Sequence, residues 1–139
     1  MENPELFEKI EEFVEGAGLM LVDLAVKNIG RSYMVRLLVD RPGGINIREC
    51  AELSRIIKDY IDGNMILSNY RLEVGSPGIG RLLTTDVDWA RSIGRKLSIQ
   101  MEDDEFTDWL LEYNEGYLKF KEGRILSAGD IVRAVEVLE

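Results

Sequence analysis

Repeated changes of hydrophobic period within 139 residues predict an α+β protein of two domains. Apolar residues recur at helical spacing from Leu6 to Val14 and from Cys50 to Ile61, but alternate from Met20 to Lys27 and from Tyr33 to Val39. Beyond Gly94 the pattern is strand only, in short runs divided by glycine-bearing turns. The first 83 residues therefore read as an α/β sandwich of order αββαβ. Residues 84–139 read as a small β-barrel.

Each element has its own signals. Asn3 and Pro4 supply an N-cap and a first helical position, and Leu6, Phe7, Ile10, Phe13 and Val14 follow at helical spacing until Gly16 and Gly18. Met20, Val22, Leu24 and Val26 then share one face of a strand. A turn at Asn28–Arg31 leads into Tyr33, Val35, Leu37 and Val39, which completes a hairpin. After the break at Arg41-Pro42-Gly43-Gly44, Asn46 and Glu49 form the signature of a capping box. Cys50, Leu53, Ile57 and Tyr60, with Ile56 and Ile61 alongside, mark the buried stripe of a second helix, and Gly63 stops it. Tyr70–Val74 reads as a third strand. Thr85 and Asp88 frame a short helix carrying Trp89, with the inter-domain linker near Leu83–Asp88. Strands follow at Leu97–Met101, Trp109–Tyr113, Tyr117–Phe120, Ile125–Leu126 and Ala134–Leu138. Trp89, Trp109, Tyr113 and Tyr117 read as packing residues.

Composition removes whole classes of chemistry. The chain has no histidine, which excludes Ser-His-Asp and Cys-His catalysis and HExxH zinc sites. Its single cysteine, Cys50, forms no internal disulfide and sits in an apolar stripe, a core position. The acidic start at Met1–Glu5 lacks the pattern of a signal peptide, and no run reaches the length of a membrane span. A cytoplasmic protein is expected. With 26 acidic against 17 basic side chains the net charge is −9, which argues against nucleic-acid binding through the overall field. The charge is unevenly divided. Residues 1–83 carry ten basic and thirteen acidic groups, whereas 84–139 carry seven and thirteen.

Three constellations stand out. Arg31, Arg36 and Arg41 from the hairpin, with Arg48, Arg55 and Lys58 from the second helix, either form a local phosphate-contacting surface or pair with Asp40, Glu49, Glu52 and Asp59 as solvated charges. Val74-Gly75-Ser76-Pro77-Gly78-Ile79-Gly80-Arg81 lacks the P-loop, Rossmann and nucleophile-elbow spacings. It reads as a tight turn, with Gly78 at positive φ, or as a rigid loop presenting Arg81 to a partner. Glu102-Asp103-Asp104-Glu105, with Asp108, reads as a solvated acidic loop or as a weak divalent-cation site.

The segment Gly44-Ile45-Asn46-Ile47 leading into Cys50-Ala51-Glu52-Leu53-Ser54 is similar to the corresponding segment of the ribosome maturation factor RimP family. Leu72-Glu73-Val74-Gly75-Ser76-Pro77-Gly78-Ile79-Gly80-Arg81-Leu82-Leu83 resembles that family's Leu-Glu-Val-Ser-Ser-Pro-Gly-Leu-Asp-Arg-Pro-Leu signature. Ile131-Val132-Arg133-Ala134 likewise resembles the stretch before its last strand. Gly80 and Leu82 stand where the family usually has Asp and Pro, and the barrel loop that is often basic in relatives is acidic here.

The resemblance implies a KH-like αββαβ domain followed by an SH3-like (Sm-like) barrel. It implies a bacterial cytoplasmic assembly factor, not an enzyme, that binds the immature 30S subunit without cofactor or metal and assists its maturation. The implied partners are 16S ribosomal RNA and a basic small-subunit ribosomal protein; a monomer that does not bind membranes is expected. On this reading the six basic residues meet RNA, Ser76, Pro77, Gly78 and Arg81 form the signature loop, and Glu102, Asp103, Asp104 and Glu105 face the basic protein. A general protein-interaction module unrelated to ribosomes is the alternative.

Overall fold

The protein is described here by a computed structural model covering residues 3–138. Met1 and Glu2, part of the acidic start, and Glu139 lie outside the described residues. The chain is α+β and divides into two compact units, Met1–Asp40 with Ile45–Pro77, and Arg41–Gly44 with Gly78–Glu139.

In the first unit the order is α1 (Pro4–Gly16), β1 (Met20–Ile29), β2 (Ser32–Asp40), α2 (Ile47–Gly63) and β3 (Tyr70–Gly75). The caps form as the sequence predicts. Asn3 accepts from the Leu6 amide at 3.0 Å, and the Asn46–Glu49 box closes at 2.8 and 3.2 Å. β1 and β2 pair antiparallel around a two-residue turn, Gly30-Arg31, with Gly30 at φ 63°. β3 adds in parallel to β2, giving the order β1-β2-β3.

One face of this mixed sheet carries the core. Val35, Leu37 and Val39 of β2 pack with Leu6, Ile10 and Val14 of α1 and Leu53, Ile57 and Ile61 of α2, all almost fully buried. The strict alternation expected of β1 fails at one place. A register shift between Leu21 and Asp23 inserts an extra residue, so Leu21, Leu24 and Val26 turn to the core, and the single face of Met20, Val22, Leu24 and Val26 does not form. Cys50 and Tyr60 are half-buried against the core, and Ile56 is 41% exposed.

The second unit holds α3 (Asp86–Arg91), β4 (Lys96–Met101), β5 (Glu105–Asn114), β6 (Tyr117–Phe120), β7 (Ile125–Ser127) and β8 (Ile131–Glu136). Its strands run in the order β7-β6-β5-β4-β8, with every pairing antiparallel. A 3₁₀ turn at Ala128–Asp130 joins β7 to β8, the two ends of this ladder. β5 begins four residues earlier than the Trp109 start read from sequence, because Phe106, Asp108 and Leu110 point inward in alternation. β8 likewise starts at Ile131, not Ala134. Leu97, Ile99, Leu110, Leu118, Phe120 and Trp89 form the core, whereas Tyr117 is 57% exposed and packs nothing there. Leu83 is 3% exposed in this same core, and its amide donates to the Ala134 carbonyl at 2.9 Å. Contacts therefore assign Gly78–Leu83 to the second unit, ahead of the divide placed at residue 83 by sequence.

An acid holds the start of this unit. Asp88 is 1% exposed and accepts from the amides of Thr84 at 2.9 Å and Thr85 at 3.1 Å, and from Arg91 Nε and Nη2 at 3.2 and 3.1 Å. Burial pushes its carboxyl up, but the two amides and the guanidinium outweigh that and hold it below the ordinary carboxylate range. The folded value thus lies below the unfolded one, so its stabilising contribution is present above about pH 4 and lost as pH falls through the folded value. The urea midpoint read by tryptophan fluorescence is expected to fall below about pH 4. Asp88→Asn should flatten that fall, and Asp88→Ala, which leaves the Arg91 charge buried, should cost about 3–5 kcal/mol at pH 7.

Candidate functional site

Arg48, Arg55 and Lys58 are spaced by seven and three residues and share one side of α2. Two of them are already engaged. Arg48 Nε lies 3.5 Å from Glu52 Oε1, and Lys58 Nζ lies 3.1 Å from Asp62 Oδ2 and 5.6 Å from the centre of the Tyr70 ring. Tyr70 Oη donates to the other Asp62 oxygen at 2.7 Å. The hydrogen bonds from Tyr70 and then Lys58 hold the Asp62 carboxyl below its usual range. Arg55 makes no ion pair among the described residues.

Arg36 occupies the opposite side of the unit. Because Val35 and Leu37 face the helices, Arg36 faces away from them on the outer side of the sheet. Its cross-strand neighbours are Ala25 and Glu73. In the adjacent row, Lys27 pairs with Met34 and Met34 with Arg71, so two further cations stand beside Arg36. Arg31 sits in the tight turn at the end of β1. All four cations are exposed, and among the described residues none makes an ion pair or a side-chain hydrogen bond. A concavity of about 270 Å³ on this face is lined by Lys27, Ile29, Met34 and Arg36 together with the carboxylates of Asp23 and Glu73.

The six basic residues therefore do not form one surface. Arg31 and Arg36 lie with the outer sheet face, Arg48, Arg55 and Lys58 lie on α2, and Arg41 is half-buried in a turn belonging to the second unit. There the Arg41 carbonyl accepts from Arg95 Nη2 at 2.9 Å. Lys27 and Arg71 were not legible as members of a cluster. Lys27 faces outward by the alternation that follows Leu24 and Val26, but its nearness to Arg71 across Met34 depends on the register of β3, which a single sequence does not specify.

In the signature loop Ser76 and Gly78 are exposed, while Pro77 and Arg81 are half-buried. The Arg81 amide donates to the Gly78 carbonyl at 3.2 Å, closing a turn over Ile79-Gly80. Gly78 does not adopt positive φ, and a Cβ there would meet open space. The turn forms without left-handed backbone, which corrects the expectation for Gly78. The Nε of Arg81 is buried and meets no hydrogen-bond partner.

The acidic run is shorter as a loop than the sequence suggests. Glu102, Asp103 and Asp104 join β4 to β5, but Glu105 already pairs with Gln100. Asp108 is 5% exposed and accepts from the Trp109 amide at 2.7 Å and the Glu122 amide at 3.0 Å. It caps the β6–β7 turn, so it does not belong to a solvated loop. Asp104 accepts from Arg124 Nη1 at 2.7 Å, a bond that, with the Glu105 amide, holds its carboxyl below the usual range. Among the described residues no three His, Cys, Asp or Glu side chains are grouped to hold a metal ion. The loop borders an open cleft of about 750 Å³ whose other wall is Ile125, Leu126, Ile131 and Val132. Burial, then the Glu49 charge, push the Cys50 thiol up, away from thiolate character.

The described residues form two compact units with exposed charge at their surfaces. Residues 9–80 match the RimP N-terminal domain, more than half of the chain. The chain belongs to the RimP family, the family of ribosome maturation factors. No helix of the described residues is long and apolar enough to cross a membrane.

The Lys58–Asp62–Tyr70 contact on α2 has a spectroscopic signature. Burial, then the Asp62 carboxylate that accepts its hydrogen bond, push the Tyr70 phenol up to about 12. An ultraviolet titration should show one tyrosine ionising near that value. In Asp62→Asn it should fall back toward the ordinary phenol value of about 10.

Proposed function

We propose that this chain is a cytoplasmic ribosome maturation factor that binds the immature 30S subunit and assists its maturation without catalysis. The match of residues 9–80 to the RimP N-terminal domain carries this reading. The loop Ser76-Pro77-Gly78 with Arg81, which resembles the family signature, supports it. The chain works as two domains, a KH-like N-terminal one and an SH3-like C-terminal barrel. For the barrel the support is five short antiparallel strands whose two terminal strands, β7 and β8, are joined by a single 3₁₀ turn.

The division of labour follows charge. Exposed cations of the first domain meet 16S ribosomal RNA. The barrel carries Glu102, Asp103 and Asp104 beside an apolar wall, which suits a basic small-subunit ribosomal protein. A factor that must leave a finished subunit needs contacts that exchange readily. Screened surface charge provides that, because association is fast and affinity falls with salt.

The purified chain should co-sediment with immature 30S subunits in a sucrose gradient at about 50 mM salt and be largely released at about 200 mM. A chain that stays at the top of the gradient at both salts would instead be a protein-interaction module unrelated to the ribosome. Binding that ignores salt would contradict the charge-based account.

A further inference from the structure

We propose that the outer face of the β1-β2-β3 sheet, around Lys27, Arg31, Arg36 and Arg71, is a surface that grips the phosphodiester backbone of RNA. This deepens the ribosome-binding reading and rests on it for the identity of the RNA. The position of the surface rests on geometry alone.

The helices of this unit cover one face of the sheet; on the other, Asp23, Lys27, Ile29, Arg36, Arg71 and Glu73 are exposed, and Ala25, Met34 and Leu38 are half-buried. Across the strands the outward rows read Lys27–Met34–Arg71 and Ala25–Arg36–Glu73. Directly opposed residues stand about 5 Å apart at Cβ and successive outward rows about 7 Å apart. Lys27 and Arg71, two strands apart, therefore lie about 10 Å from one another and about 8 Å from Arg36, a spread over which long cationic side chains reach several phosphates of one strand. Arg31, in the turn beyond Ile29, extends the group along the strand direction.

These four cations are unspent among the described residues, as Arg55 is on α2 and Lys119, Lys121 and Arg133 are in the second unit. On α2, Arg48 and Lys58 are held by Glu52 and Asp62, and in the second unit Arg95 and Arg124 are held by Glu136 and Asp104. Lys27, Arg31, Arg36 and Arg71 have no such partner among the described residues. An exposed guanidinium keeps its forked donors for a phosphate, which it can engage through two parallel hydrogen bonds.

The same face says what the surface does not read. Its uncharged residues are Ala25, Ile29, Ser32, Met34, Leu38 and Gly75, and no aromatic side chain points outward from the three strands. Base stacking therefore has no platform, and contact falls on the backbone, which positions an RNA without reading its sequence. Asp23 and Glu73 complete the face and oppose phosphate near them. Glu73 opposes Arg36 in its own row and Asp23 lies one row beyond, so phosphate is favoured toward Arg31, Lys27 and Arg71, with Arg36 at the border of the site. An acidic protein segment is the competing occupant, and its charges would meet the same four cations. RNA is favoured because regularly repeated phosphates match cations set at strand and row spacing.

The test uses the full chain and two triple variants of equal charge change, Lys27→Gln/Arg36→Gln/Arg71→Gln on the sheet and Arg48→Gln/Arg55→Gln/Lys58→Gln on α2. The probes are a 20-base-pair RNA duplex of arbitrary sequence, read by fluorescence anisotropy at low salt, a polyglutamate of similar length, and immature 30S subunits. Retained circular dichroism and unfolding midpoints show that the variants fold. The sheet triple should weaken duplex binding at least about tenfold and lower the slope of log K against log salt by roughly two to three. The α2 triple should weaken it less than about threefold. The proposal is overturned if the unaltered chain ignores the duplex, if polyglutamate binds as tightly as the duplex, or if the α2 triple loses as much as the sheet triple. Failure of the unaltered chain to bind subunits while it binds the duplex would remove the ribosomal reading and leave the surface standing.

Discussion

The three-stranded sheet of the first unit must bury one face, and α1 and α2 are the elements of that unit that cover it. Everything exposed or hidden there follows from which residues fall on which side. Val35, Leu37 and Val39 are driven inward against Ile10, Ile57 and Ile61, and the pleat then leaves Met34, Arg36 and Leu38 facing out. The same burial that stabilises the unit therefore places the charged groups. A change that repacked the core face by one register step would exchange the two sets, and with them the chemistry of the surface.

The second unit uses charge differently. Two of its carboxylates are structural: Asp88 holds the start of α3 and the Arg91 guanidinium, and Asp108 holds the turn after β6. Both are buried with their hydrogen bonds made, which is the condition under which a buried carboxylate is tolerated. The acidic surplus of this half is thus smaller at the surface than its composition suggests. Of the acids that remain outside, Glu102 and Asp103, with Asp104 bound to Arg124, lie beside an apolar wall. That combination separates the two halves by chemistry more sharply than net charge does.

Much of this was legible from the order of residues. Helix caps at Asn3, Asn46 and Thr85 declare themselves locally, and so do the hairpin and the periods of α1 and α2. Features that depend on a partner strand were not. The bulge at Val22 shifts the face of the start of β1, and the parallel register of β3 decides that Arg71 stands beside Met34. The six basic residues were correctly seen as exposed or half-exposed, but whether they adjoin is a question of which side of a sheet each occupies. Asp108 looked like one more acid in a loop because inward alternation from Phe106 to Leu110 is interrupted by the polar residue itself. Gly78 suggested a left-handed turn that the backbone does not need.

The central claim is that the two exposed faces meet different macromolecules on one particle. A photo-reactive amino acid placed in turn at Ile29, beside the sheet cations, and at Asp103, on the acidic loop, reports this directly when the chain is bound to immature 30S subunits. The account predicts crosslinks to 16S ribosomal RNA from position 29 and to a basic ribosomal protein from position 103. RNA crosslinks from position 103 with only protein from position 29 would contradict it.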